Sequence, residues 1–435
     1  MDIYNFISLL GIFLLIAFAY FFSTNRRQIS WPVVIWGVGI QMLLALFLFI
    51  FPAGTKFFLF INDLVVWFMN CAFAGAQFVF GRLAVPPGTS GAAGETSLGF
   101  ILAFQAFPTI IFFSALMSVL YFYNIIPRII KAFAHLFTKL MNVSGAESLY
   151  TASSVFVGVE STMTIRPFLK DLTKSELCTV LTAGMATVSS SMLAVYVFSL
   201  HDVFPKIAGH LISASFMSAP AALVMSKILL PEEENPKTLG EHVEPHIERE
   251  GSLVEAVING ANSGVRLIVG IVALLVAVLG FVALIDQSLL FLGGKFNGLF
   301  HTHWDWSLKG ILGIIFYPFT LILGMPPADA GLVAKIIGER AVVTELTAYQ
   351  DLAGLIAQGA VTNPRSVVIA SYALCGFAHV ASLAIFIGGI TAIVPAKAHV
   401  LAQVGFRALV AATLACLLTA AVAGVFFVNN SVLFG

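Results

Sequence analysis

Long apolar runs recur along the chain and set its predicted architecture. A helix needs about 20 apolar residues to cross the roughly 30 Å hydrocarbon core of a bilayer. Runs of that length lie at residues 3–22, 31–51, 99–123, 208–230, 266–291 and 404–429. This pattern predicts an all-α integral membrane protein.

One apolar segment, from Phe57 to Ala84, contains too many polar residues for a simple span. The interrupting residues are Asn62, Asp63, Asn70 and Gln77, and a Pro/Gly-rich loop follows at residues 86–94. We expect an interfacial helix there. The first apolar run has no basic residue ahead of it and no small-residue cleavage pattern behind it, so we expect a retained helix rather than a signal peptide.

Composition supports the membrane class and excludes another. Hydrophobic residues make up 59% of the chain and charged residues only 10%, against about 25% charged in soluble domains. The 22 basic and 22 acidic residues balance, so the chain lacks the positive charge that nucleic-acid binding requires. The four cysteines lie far apart in apolar runs and are interpreted as small core residues.

The distribution of Lys and Arg predicts an orientation in a cytoplasmic (inner) membrane, because basic residues near short loops stay inside. The predicted cytoplasmic side carries Arg26, Arg27, Arg128, Lys131, Lys139, Lys227, Lys237, Arg249 and Lys397. The N-terminus and the C-terminus of this multi-pass chain are then outside. The segment 231–251 contains seven Glu and no apolar face, and we expect a solvated cytoplasmic linker.

Two segments have the pattern of re-entrant hairpins. In residues 145–170, two half-length apolar pieces flank Gly158; in residues 307–350, one piece ends at 324–329 and a second runs from Ala330 past Glu345. Each hairpin contains one internal Glu, Glu160 or Glu345. A carboxylate in an apolar segment costs about 3 kcal/mol on insertion scales, which favours a functional role. Structural ion pairs with Arg166 and Arg340 are the alternative.

A short repeat follows each hairpin. Residues 184–190 and 376–382 both read Gly-x-Ala-x-Val-x-Ser, and both lie within spans, where Gly and hydroxyl residues weaken a helix. The charge pattern places the hairpins on opposite sides, so the units are inverted repeats with discontinuous helices, as in secondary transporters. The predicted organisation is scaffold helices at 1–144, a first unit at 145–230, linker and scaffold at 231–306, and a second unit at 307–435.

Six short motifs spread over nearly the whole chain resemble one known family. They lie at residues 112–116, 166–168, 214–217, 324–326, 344–346 and 375–378. In these motifs the sequence resembles the concentrative nucleoside transporters in their short bacterial form. The resemblance implies about eight transmembrane helices, two re-entrant hairpins, a homotrimer in the lipid bilayer, and elevator-type symport of a nucleoside with a cation.

The resemblance also implies a substrate site. Its residues would be Gly158, Val159, Glu160, Met192, Glu345, Phe377, His379 and Ser382. Glu160 would read the nucleobase, and Glu345 and Ser382 would hold the ribose. Two departures stand out: the hairpin tip is one residue shorter and lacks the polar base-reading side chains, and His379 replaces the ribose-binding Asn of the family. His379 can still donate or accept one hydrogen bond, and it can titrate.

The coupling ion is open between sodium and a proton. The sodium site of the family would fall at the hydroxyls of Ser154 and Thr187 and the carbonyls of Val157 and Val188, which are hard oxygen ligands. The amide oxygen of the family is missing, so a proton carried by Glu160 or His379 is the alternative. No other cofactor is expected.

Two other functional classes fit the sequence less well than a transporter. A passive channel would need a continuous polar path but not two inverted units with broken helices. An intramembrane hydrolase is disfavoured because neither His-Glu-x-x-His nor Gly-x-Ser-x-Gly occurs in the sequence. We therefore expect a transporter and not an enzyme.

Overall fold

The computed structural model describes residues 2–86, 89–90, 94, 96–246 and 250–428, and these residues are almost entirely helical. The helices are α1 Ile3–Phe21, α2 Trp31–Phe49, α3 Pro52–Phe80, α4 Leu102–Gln105, α5 Phe107–Phe122, α6 Ile125–Met141, α7 Gly145–Val157, α8 Lys174–Ala186, α9 Ser190–Leu200, α10 Ile207–Leu229, α11 Leu253–Phe300, α12 Leu308–Ile322, α13 Pro327–Val342, α14 Glu345–Ala357, α15 Pro364–Leu374, α16 Val380–Ile393 and α17 Ala398–Val425. Within the described residues, β-structure is limited to two isolated bridges.

The membrane class is confirmed. Within the described part of the chain, 8 helical stretches are long and apolar enough to cross a bilayer. The segment predicted to be interfacial lies mostly in α3, whose 29 residues also have sufficient length and hydropathy to span. Its interfacial placement therefore stays a prediction, and most of the loop predicted at 86–94 lies outside the described residues.

Burial separates central helices from peripheral ones. The apolar windows of α10 and α17 are 89% buried within the chain, whereas that of α11 is 0% buried. Gly260 and Gly264 of α11 pack against α5, and the remaining apolar surface of α11 would face lipid or another chain. The central helices α10 and α17 pack against α8 and α15, which carry the two predicted repeats.

Both predicted helix breaks are present. The first separates α8 from α9 at residues 187–189, and the second separates α15 from α16 at residues 375–379. Polar residues begin the second half of each helix, with Ser189 and His379 at the N-cap positions. Discontinuous helices in two repeats are thus confirmed.

The first hairpin differs from the prediction in its second arm. α7 descends to Val157 as expected, but residues 158–165 form a 3-10 helix rather than a second α-helical piece. A 3-10 helix rises further per residue and is used in short segments. It places Glu160 in its first turn.

The second hairpin has its turn where the sequence predicted it, but its second arm is divided. The turn at residues 323–326 joins α12 to α13, and α13 then continues to Val342. A further break comes at residues 343–344, so that Glu345 begins α14 instead of lying inside a helix. Gly324 and the two prolines after it gave a strong local turn signal, whereas the further break contains only β-branched residues, with Thr344 as N-cap.

The predicted solvated linker is attached to the first hairpin by hydrogen bonds, while most of its described side chains are exposed. The backbone of Gly145 donates to Thr238, and that of His246 donates to Thr164. Ion pairs from Lys131 to Glu244 and from Lys237 to Asp171 add to this attachment. The charge pattern of the linker does not reveal these backbone hydrogen bonds. Residues 247–249 lie outside the described part of the chain.

Buried charges tie the helices together at both ends of the repeats. At the predicted cytoplasmic end, Lys227 Nζ lies 2.5 Å from Glu147 and 3.3 Å from Glu232, and it donates to Ser175 at 2.9 Å. At the other end, Arg365 is 2% exposed. It donates to the carbonyl oxygens of Tyr4, Gly324 and Gly424, to Ser8 Oγ and to Asn5 Oδ1.

Breaking the buried ion pair at Lys227 should lower the free energy of unfolding more than breaking an exposed ion pair. Lys227→Met leaves the carboxylate of Glu147 buried and uncompensated, because that side chain is 1% exposed, and should cost about 3–5 kcal/mol. The matched control is Lys237→Met, whose pair with Asp171 is 70% and 51% exposed and should cost less than about 1 kcal/mol. Unfolding of both variants in detergent measures this difference. Equal losses of unfolding free energy in the two variants would contradict the larger contribution of the buried pair.

Candidate functional site

The tip of the first hairpin lies against the first helix break. Gly158 has φ of 69°, and a Cβ atom there would stand 2.9 Å from Cβ of Ser189. Both the positive φ and the close approach require glycine. The hairpin tip and the start of α9 therefore form one compact junction.

The second break packs on the first. Gly376 has φ of 136°, and its Cβ position would lie 2.9 Å from the carbonyl oxygen of Ala186, the last residue of α8. From α17, Cys416 Sγ donates to the carbonyl of Cys375 at 2.7 Å and approaches that of Ala186 at 3.8 Å. The repeated motifs thus bring the two breaks together at the centre of the molecule.

Glu345 forms the polar centre of this region. Its side chain is 1% exposed, and Tyr196 Oη donates to its Oε1 at 2.5 Å. His379 Nε2 lies 3.2 Å from Oε2. The Tyr196 ring packs on that of Tyr349, with centroids 5.0 Å apart, which fixes the direction of the donor. A buried carboxylate is thus met by two groups able to donate.

The local structure of α16 fixes the role of His379. Its Nδ1 accepts from the backbone N–H of Ser382 at 3.2 Å, so Nε2 carries the hydrogen. Nε2 lies near Glu345 Oε2, but the two atoms do not have the geometry of a hydrogen bond. Ser382 Oγ accepts from the His379 N–H at 3.1 Å and donates to its carbonyl at 2.7 Å. The ring of Phe377 stands edge-on to the imidazole at 4.7 Å. The structure therefore gathers four of the predicted substrate residues.

Glu160 lies apart from this cluster, exposed in a chamber of about 960 Å³. The chamber is lined by Ser114, Met117, Ser118, Tyr121, Phe122, Asn124, Pro127, Arg128, Lys131, Phe156, Val157, Glu160, Met163, Thr164, Ser191, Glu244, Pro245, His246, Glu250 and Ser263. Met192 follows Ser191 and is buried. The side chain of Val159 lies outside the described part of the structure. The predicted ribose-holding residues Glu345 and Ser382 are not among the residues that line this chamber.

The predicted cation ligands lie at the end of α7 and in the first helix break, and three of them are already engaged in local hydrogen bonds. Ser154 Oγ donates to the Thr151 carbonyl at 3.0 Å, and Thr187 Oγ1 donates to that of Ala183 at 2.9 Å. The Val188 carbonyl accepts from Ser215 Oγ at 3.2 Å. Each hydroxyl oxygen keeps acceptor capacity, so these groups could still face a small cation. Val157 lines the chamber.

Arg340 does not serve as the partner of Glu345 in this conformation. It is completely buried, and within the described residues none of its nitrogens has a hydrogen-bond acceptor. The partner that sequence reasoning missed is Tyr196, since a tyrosine in the apolar run of α9 has the pattern of an ordinary core residue. The position of Tyr196 on α9, shortly after the first helix break, is the signal that could have identified this residue.

Three family models match successive parts of the chain. The model described as "Na+ dependent nucleoside transporter N-terminus" matches residues 10–83. "Nucleoside recognition" matches residues 103–202. "Na+ dependent nucleoside transporter C-terminus" matches residues 210–424.

Similar proteins span bacteria and animals. The nucleoside permease NupC of Helicobacter pylori is 33% identical, over 98% of this chain and 98% of its own length. Solute carrier family 28 member 3 of mouse is 35% identical over 97% of this chain, which spans only 59% of that protein.

Solved structures share the fold. CNTnw in an inward-facing substrate-bound state is 31% identical and superposes with a TM-score of 0.86, covering 97% of this chain and 98% of its own. An outward-facing variant of CNTnw is also 31% identical and gives 0.85, covering 98% of each chain.

Tyr196→Phe should destabilise the ligand-free protein more than Tyr349→Phe. The first change removes a hydrogen bond to a buried carboxylate, worth about 1.5–3 kcal/mol, whereas Tyr349 donates to a neutral carbonyl, that of Ser371, worth about 1 kcal/mol. Thermal unfolding of the two purified variants makes the comparison. A smaller loss for Tyr196→Phe would show that Glu345 does not depend on this donor.

Proposed function

This chain belongs to the concentrative, sodium-dependent nucleoside transporter family, and we propose that it is a cation-coupled symporter that carries nucleosides into the cell. The observation that carries the proposal is the buried cluster of Glu345, His379 and Ser382 at two adjoining helix breaks. Polar groups this far inside an apolar body mark a solute pathway in membrane proteins.

The chemistry of the cluster suits a ribose. A carboxylate accepts hydrogen bonds from vicinal hydroxyls, and such bonds to a charged acceptor are strong in a dry pocket. His379 Nε2 can donate to a hydroxyl oxygen of the same sugar. Tyr196 donates to the carboxylate of Glu345, and His379 Nε2 lies 3.2 Å from it. Ribose hydroxyls would replace part of these contacts, so that the site need not hold an uncompensated charge between transport cycles.

The chamber indicates how substrate would leave. It extends from Ser191 and Glu160 to the basic residues Arg128 and Lys131, which belong to the predicted cytoplasmic side. This conformation therefore corresponds to an inward-open state in our proposal. Elevator-type movement of the repeats and a homotrimer complete the proposal, and the exposed apolar surface of α11 supplies area for contacts with lipid or neighbouring chains.

For the coupling ion we adopt sodium, because Ser154 and Thr187 retain oxygen atoms at both predicted positions. The alternative is a proton. In that case Glu160 or His379 would carry it, and protonation of His379 at Nδ1 would break the hydrogen bond that this atom accepts from the Ser382 N–H.

Glu345→Gln should abolish concentrative nucleoside uptake while leaving the assembled protein intact. The amide offers one acceptor oxygen without charge and loses hydrogen bonds worth about 1.5–3 kcal/mol each. Uptake of labelled uridine into proteoliposomes measures this, with the exposed Glu233→Gln as a control. Free nucleobases should compete poorly with nucleosides for uptake.

Wild-type uptake by Glu345→Gln would reject the assignment of Glu345 to the ribose. For the native protein, product formation would favour the hydrolase, and purely downhill flux would favour the channel.

Thr187→Val should weaken the sodium dependence of uptake sharply, because it removes one oxygen from a site with few ligands. Thr413→Val is the matched control, since Thr413 donates to Leu409 in the same helical pattern but lies on α17. Initial rates against sodium concentration give the comparison. Strong uptake in sodium-free choline buffer under a pH gradient would overturn sodium coupling and transfer the role to Glu160 or His379.

A further inference from the structure

Tyr121 is a polar residue of the chamber wall to which the proposed symport assigns no role. Tyr121 lies near the end of α5, and its Oη atom is buried with no hydrogen-bond partner in the part of the chain that the structure describes. Glu160 lines the same chamber. A buried phenol normally finds a partner, so an unpaired one beside an exposed carboxylate indicates a site that a ligand completes.

The other hydroxyls around Glu160 are less available. Ser114 Oγ and Ser191 Oγ are hydrogen-bonded to each other at 3.0 Å across α5 and α9. Thr164 Oγ1 donates to the Ser161 carbonyl at 2.6 Å. Ser118 Oγ packs against Gly260 of α11. The hydroxyl of Tyr121 is the one in the chamber wall that is both buried and without a hydrogen-bond partner among the described residues.

The hairpin tip creates the need for such a group. Glu160 as a carboxylate can only accept hydrogen bonds, and Gly158 contributes no side chain. A nucleobase presents hydrogen-bond acceptors next to its N–H donors on its pairing edge. Binding that edge with Glu160 alone would leave the acceptors unpaired in a partly desolvated chamber, at a cost comparable to a lost hydrogen bond.

We propose that Tyr121 is a specificity-determining residue whose phenol hydroxyl hydrogen-bonds the nucleobase edge while Glu160 accepts from the adjacent N–H. This inference rests on the proposed nucleoside transport. A rotating hydroxyl serves purine and pyrimidine acceptors alike, so the pair recognises the presence of a polar edge rather than one base. Tyr121 belongs to α5 and not to the hairpin, so the contact is made only while the hairpin tip stands beside α5.

The test compares two tyrosine variants and three ligands. Binding of uridine, adenosine and benzene riboside to the purified full chain is measured by calorimetry for wild type, Tyr121→Phe and Tyr123→Phe. Tyr123 is two residues further on, 56% exposed, and absent from the chamber wall. Tyr121→Phe should weaken uridine and adenosine binding about 5- to 20-fold and leave benzene riboside, which lacks a polar edge, unchanged. Tyr123→Phe should match wild type for all three.

Several outcomes overturn the inference. The first is unchanged uridine and adenosine affinity in Tyr121→Phe. The second is an equal loss of affinity for benzene riboside, which would show a structural effect. The third comes from a double-mutant cycle that combines Tyr121→Phe with Glu160→Gln, in which additive losses would show that the two residues do not bind the base together. On the wild-type protein alone, benzene riboside binding as tightly as uridine would also overturn it, even if Tyr121→Phe failed to fold. Failure of the wild type to bind any of the three ligands would instead reject the proposed function.

Discussion

Every backbone N–H and C=O inside a membrane protein needs a partner from the protein itself, and the two broken helices make that requirement acute at its centre. The groups released by the first break are met by Ser215, whose Oγ accepts from the Val188 N–H and donates to its carbonyl. Those of the second are met by Cys416 and by the reciprocal cap of His379 and Ser382. The near-complete burial of α10 and α17 follows, because these helices supply Ser215 and Cys416.

The same requirement shapes the charged centre. The buried carboxylate of Glu345 accepts a hydrogen bond from Tyr196 and lies beside His379, which is oriented by the cap that also satisfies the backbone at the helix break. Structural repair and substrate chemistry therefore use the same residue. A change at His379 would disturb the start of α16 as well as the surroundings of Glu345.

Sequence reasoning succeeded where local chemistry and long-range structure agree. The Gly-x-Ala-x-Val-x-Ser repeat predicted both breaks, because glycine and hydroxyl residues weaken helices in any context. It missed the break at residues 343–344, because Gly324 and its neighbouring prolines make a stronger turn signal than these β-branched residues. The docked linker and the contacts of Tyr196 and Tyr121 depend on residues distant in sequence, which periodicity and composition do not report.

The Arg365 cluster has a consequence for how the chain is made. Asn5 donates to the carbonyl of Val425, and these partners are 420 residues apart. Arg365 joins them through Tyr4, Ser8 and Gly424. By contrast, the Lys227 cluster closes within residues 147–232. During synthesis the first repeat can therefore complete its own charge network early, whereas α1 enters the bilayer with polar groups that find their partners only after the last helix has been inserted.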